Sequence, residues 1–112
     1  MQETRNDFTK SSLSQPNARL VELMQRINFG AIEKLIFKRG ELLFDPPPRV
    51  IREIKFCAEN GPRPETTKQD FTLKAQVRDL FAQIETLGDG VIHSLEVKHG
   101  LPFKMIIEEN AA

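Results

Sequence analysis

GAIEKLIFKRG fills residues 30–40 and GVIHSLEVKHG fills residues 90–100, and the reading of this pair decides the fold. Each stretch alternates in the period of a strand, with successive side chains on opposite faces. In the first, Ala31, Leu35 and Phe37 share one parity with Glu33 between them, while Ile32, Lys34, Ile36 and Lys38 share the other. Lys38, Arg39 and Gly40 are expected to close a three-residue hairpin loop, with Gly40 supplying the positive φ of a bulge. His99 and Gly100 mark the second turn. Residues 42–44 begin one return strand, and residues 101–108 form the other, on which Phe103, Met105 and Ile107 alternate on one face.

The two stretches match at a constant offset of 60: Gly30 with Gly90, Ile32 with Ile92, Leu35 with Leu95, Lys38 with Lys98, Gly40 with Gly100. The match continues upstream into two helical stripes. In SQPNARLVELMQRI, Leu20, Leu23, Met24 and Ile27 fall at i, i+3, i+4 and i+7, which predicts a helix over residues 15–27. Ser14 is placed to cap it, Pro16 is tolerated in its first turn, and Glu22 precedes Arg26 by the favourable four residues. Leu73, Val77, Leu80, Phe81, Ile84 and Leu87 predict a second helix that stops at Gly88; Thr67 and Asp70 have capping-box spacing at its start. Leu20 matches Leu80, Met24 matches Ile84, and Ile27 matches Leu87. A lone hairpin is marginal in water, so each helix–hairpin unit needs a partner for its apolar face. The expected fold is therefore α+β. Two tandem helix–hairpin repeats, residues 15–60 and 66–109, form one antiparallel sheet with two helices packed on one face.

Four stretches stand outside this pattern. Residues 1–14 are polar and aperiodic, and are expected to be a disordered tail before a single domain at residues 15–109. DPPP at residues 45–48 cannot donate to a ladder and interrupts the first hairpin. The following RVIREIKFCAENG is dense in β-branched residues and is expected to be a third strand; a short helix through Val50, Ile51, Ile54 and Ala58 is the alternative. Residues 61–70, GPRPETTKQD, read as a linker.

The stretch RINFGAIEKLIFKRGELLF resembles the small bacterial YezD-like proteins. Those chains carry a helix leading into an I-x-F-G-x-V/I-E strand, a turn ending in glycine, and a return strand with a basic, apolar continuation. The residues that carry the likeness are Ile27, Phe29, Gly30, Ile32, Glu33 and Gly40, with Ile51-Arg52 or Ile54-Lys55 echoing the continuation. It covers about residues 20–56 only. The resemblance implies a fold for that third of the chain and no activity, because the family has none assigned.

Composition narrows the function. Lys and Arg number 16, as do Asp and Glu, so the chain lacks the overall basic excess of a non-specific nucleic-acid binder and leaves only a local basic face for such a role. No apolar run approaches the ~18 residues of a bilayer span, and no secretory signal pattern is visible at the N-terminus; the expected location is cytoplasmic, with no membrane partner. The one cysteine, Cys57, excludes an internal disulfide and reads as a small buried hydrophobe. One cysteine and two distant histidines do not make a zinc site, no nucleotide-binding glycine motif is present, and no cofactor or metal is expected.

The remaining chemistry lies in charge. Lys38, Arg39, Lys98 and His99 occupy the two hairpin tips, and Arg49 and Arg52 follow the proline turn. If the hairpins lie side by side, both tips present positive charge in one region, as β-ribbons that approach nucleic acid do. The competing reading is that these residues blunt sheet edges and mark solvated turns. The expectation is a small non-catalytic regulatory module binding nucleic acid through Lys38, Arg39, Lys98, His99, Arg49 and Arg52. The alternative is a protein-interaction adaptor or homodimer using an exposed strand or Ile36. A third reading is an enzyme in which Glu33 and His93 approach across the repeat axis as an acid–base pair.

Overall fold

The structure, a computed structural model, describes residues 13–56 and 75–109. The linker, Cys57, Thr67, Asp70, Leu73 and all of the expected tail before Leu13 lie outside the described residues.

Helix α1 spans Gln15–Ile27, the range its stripe predicts. Ser14 is extended at φ −64° and ψ 162°, and its hydroxyl oxygen accepts from the Asn17 N–H at 3.4 Å, which satisfies one of the orphan donors of the first turn. The helix stops at Asn28, whose φ of 66° turns the chain and whose N–H donates to the Met24 carbonyl. Leu20, Val21, Met24 and Ile27 are buried. Removal of each such side chain from water stabilises the fold by about 1.5–3 kcal/mol. Helix α2 spans Ala75–Leu87, buries Val77, Leu80 and Ile84, and stops where the Gly88 N–H donates to the Ile84 carbonyl at a φ of 82°.

Five strands follow in the described residues: β1 (Phe29–Lys38), β2 (Glu41–Leu43), β3 (Arg49–Arg52), β4 (Gly90–Lys98) and β5 (Leu101–Glu108). They form one antiparallel sheet in the order β2-β1-β4-β5, with β3 also paired to β1. Both helices cover one face. Their buried residues join Ile32, Leu35, Phe37, Leu42, Ile92, Leu95 and Val97 in a single core. The class is α+β, as the sequence predicts.

The centre of the sheet is the β1–β4 pair, with Ile32 opposite Leu95 and Leu35 opposite Ile92. Here strict alternation fails. Ile32 and Leu35 are both fully buried although they differ in parity, because Lys34 at a φ of 62° kinks β1 between them. Glu33 therefore does not share a face with Leu35. β4 makes the same adjustment: Ile92 and Leu95 are buried, and its register against β5 shifts between Ile92 and Ser94, leaving His93 as an exposed extra residue.

The first turn is tighter than the sequence suggests, and the second falls at His99 and Gly100 as expected. Lys38 pairs with Glu41, so Arg39 and Gly40 alone make the first loop, at φ 54° and 75°; His99 and Gly100 make the second at 56° and 73°. Two consecutive positive φ values define the two-residue type I′ loop, whose twist suits a hairpin. Each tip is tied to the other half of the chain. The Gly40 N–H donates to the Gly88 carbonyl at 2.8 Å, and the Gly100 N–H donates to the Asn28 carbonyl at 3.0 Å. Donors and acceptors in this pair of bonds both differ by 60 positions, as do the bounds of α1 and α2.

Residues 49–52 are a strand, not a helix, and the proline run explains their place. β2 lies along Ile36–Lys38 of β1 and β3 lies along Gly30–Glu33 of the same edge. The two are one return strand interrupted at residues 44–48, where prolines that cannot donate are tolerated on an edge.

Candidate nucleic-acid interface

β1 and β4 run antiparallel, so their hairpin tips lie at opposite ends of the sheet: Phe37 faces Gly90 at one end, and Phe29 faces Lys98 at the other. The expected single patch of Lys38, Arg39, Lys98 and His99 does not form. At the first tip, the Arg39 N–H donates to Asp89 Oδ1 at 2.7 Å, Lys38 faces Glu41, and Gly40 packs over Glu85. Acidic groups surround this pair of cations.

The other end has a different character. The Lys98 ammonium sits 4.0 Å from the centroid of the Phe103 ring, and the Lys55 ammonium 5.2 Å from that of Phe29. His99 meets Phe29 edge-on, with centroids 4.8 Å apart and planes at 69°. Phe29, Lys98 and Phe103 thus lie in a row across β1, β4 and β5; Arg52, paired with Gly30, shares the opposite, helix-covered face with Val50. Glu96 stands 3.9 Å from both the Lys98 and the Lys104 ammonium, so one carboxylate serves two cations. Exposed pairs of this kind contribute little to stability, and their cations remain available to an incoming anion.

Phe103 is 59% exposed, which corrects its expected place on one face with Met105 and Ile107. The register of β5 against β4 shifts between Pro102 and Lys104; the extra residue, Phe103, turns outward, while Met105 and Ile107 pack on the core. Sequence reasoning missed Phe29, Phe103, Lys55 and Lys104 as site residues. The signal for Phe29 and Lys98 was their position at the ends of the two central strands; the bulge that exposes Phe103 has no signal in the alternation.

Arg49 and the acid–base pair fall elsewhere. The Arg49 guanidinium lies 3.9 Å from the Glu33 carboxylate across the β1–β3 pair. Glu33 faces Ser94, and His93 lies 3.9 Å from Glu108. Glu33 and His93 each face another ion partner, and the structure assembles no joint site from them. Among the described residues no cluster of three His, Cys, Asp or Glu side chains is arranged to hold a metal ion, and no helix is long and apolar enough to cross a membrane. No family model, curated protein or solved structure matches the chain.

Proposed function

We propose that this chain is a small non-catalytic module that binds single-stranded nucleic acid on the uncovered face of its sheet, at the end holding Phe29, Lys98 and Phe103. The observation that carries this reading is the row of two phenylalanine rings with a lysine between them, Phe103 being 59% exposed and the Lys98 ammonium 4.0 Å from its ring. Unstacked bases lie on aromatic side chains, each stack contributing about 1–3 kcal/mol, and cations beside the rings meet the phosphates. Lys55, Lys98 and Lys104 supply those cations, and the His99 ring lies edge-on to Phe29. Of the residues first expected to bind, Lys98 and His99 belong to this surface; Lys38 and Arg39 lie at the far end, Arg52 is on the opposite face of the sheet, and Arg49 is engaged with Glu33. The two halves act as copies of one helix–hairpin unit in which only the second hairpin tip has joined a binding surface.

The test is fluorescence anisotropy with a labelled oligothymidylate or oligouridylate. Affinity is expected to fall with salt, to drop roughly 5- to 100-fold in Phe103→Ala or Phe29→Ala, and to be unchanged in the double variant Lys38→Ala, Arg39→Ala. Binding that survives loss of both rings, or that depends on Lys38 and Arg39 instead, refutes the proposal.

A second reading, a protein adaptor or homodimer, is favoured by other residues on the uncovered face. Leu43, which faces Ile36, Ile51, which faces Ala31, and Ile106, which faces Ser94, are 37%, 40% and 50% exposed. Light scattering over a range of concentrations separates the two: a mass that rises with concentration in the absence of nucleic acid supports the adaptor.

A further inference from the structure

The interruption of the return strand at residues 44–48 does more than accommodate prolines. It brings Phe44, Pro47 and Pro48 beside α1, with Phe44 packed against the core, and leaves a groove of about 590 Å³ between them. Leu23 of α1 and Val50 of β3 complete its apolar lining, and Val50 is left 45% exposed there. Arg19 and Arg26 line the α1 wall. Among the described residues neither guanidinium has a carboxylate partner; Arg19 lies instead over the Phe44 ring, 4.5 Å from its centroid. Glu22 lies between them on the same wall, which keeps one net positive charge in the order basic, acidic, basic. The seven-residue spacing of the arginines corresponds to about 10 Å along a helix.

We infer that this groove docks an acidic amphipathic helix of a partner protein. Two carboxylates two turns apart on the partner meet Arg19 and Arg26, and the apolar residues between them settle on Leu23, Phe44, Pro48 and Val50. The charge order on the wall favours this occupant: an acidic residue at each end of the contact finds an arginine that has no carboxylate partner among the described residues. An apolar floor bounded by arginines is the helix-in-groove arrangement, with carboxylate recognition by guanidinium groups setting register. The site lies on the helix-covered side of the sheet, away from Phe29 and Phe103, and stands independently of the nucleic-acid proposal.

The probe is a synthetic amphipathic helical peptide with two glutamates seven residues apart flanking a pair of leucines, labelled for anisotropy. Its control replaces both glutamates with glutamine. The expected result is saturable binding to the full chain that weakens at least about tenfold in the glutamine control, and by a similar factor in Arg19→Gln or Arg26→Gln. These two residues are exposed, and circular dichroism of each variant verifies the fold. Val50→Asn, on an exposed edge position, is expected to weaken binding by removing apolar lining without adding a charge opposite either arginine. Absence of binding, binding indifferent to the glutamates or the arginines, or preferential capture of a fluorescent fatty-acid anion each overturns the inference.

Discussion

Replacement of Gly30 by alanine probes the first glycine of the decisive stretch. Gly30 has a φ of 156°, and a Cβ built there falls 2.1 Å from the Ile51 carbonyl oxygen and 3.0 Å from the Arg52 Cα. Both are backbone atoms of β3, so no side-chain rotation relieves the contact. A carbon and a carbonyl oxygen settle at about 3.3–3.6 Å, so the edge must withdraw by more than about 1 Å. The pairs Gly30–Arg52 and Ala31–Ile51 are then broken. Two lost backbone hydrogen bonds cost about 2 kcal/mol, and the strained φ adds about 1–2. Loss of glycine's freedom in the unfolded chain returns about 0.4–1. The net destabilisation is about 2–4 kcal/mol, or roughly 10–25 °C in Tm for a domain of this size. Thermal melts followed by circular dichroism measure it. Gly88→Asn is the control: no atom lies within 4 Å of a Cβ there, and at the corresponding end of α1 Asn28 adopts a φ of 66°. That variant is expected to stay within about 0.5 kcal/mol of wild type. A Gly30→Ala protein melting within about 3 °C of wild type refutes the packing of β3 on β1 and the reason for glycine at this position.

Further perturbations test the shared core and its joints. Leu35→Ala and Leu95→Ala each remove a fully buried side chain and are expected to cost about 2–5 kcal/mol in urea denaturation, each within one cooperative transition; separate transitions for the two halves contradict a common core. Lys34→Gly relieves a positive φ at an exposed site and is expected to raise the urea midpoint, worth up to about 1 kcal/mol, whereas a lower midpoint places the kink elsewhere. Asp89→Ala removes the acceptor for the Arg39 N–H, an exposed bond at 2.7 Å, and is expected to cost about 1 kcal/mol; an unchanged melt means that the tip is held by the Gly40–Gly88 bond alone.

The parts of this fold that follow a period were legible in the sequence. The α1 stripe and its serine cap, the stop at Gly88, the two central strands and the second return strand all lie where spacing places them. Departures came where a single residue breaks the period. Lys34, His93 and Phe103 each mark a point at which a strand changes face, and an alternation rule carries on through such a point as though nothing happened. That is why alternation groups Glu33 with Leu35, and Phe103 with Met105 and Ile107, on one face. Lys-Arg-Gly reads as a three-residue loop because a glycine at its end fits either loop length; the φ of Arg39 decides between them. The candidate site failed for a topological reason. Two hairpins whose first strands pair antiparallel must send their tips in opposite directions, so charge similarity between Lys38-Arg39 and Lys98-His99 could not become proximity. What replaced it, the row of Phe29, Lys98 and Phe103, depends on cross-strand register, which the sequence does not print.

The most direct test of the central claim is a titration of isotope-labelled protein with a short single-stranded oligonucleotide, followed by amide chemical shifts. The account predicts perturbations concentrated at Phe29, Lys98, His99, Phe103 and Lys104, with Lys38, Arg39 and Gly40 silent at the far end of the sheet. Shifts centred on the Arg39–Gly40 tip, or no shifts at any residue at low salt, would contradict it.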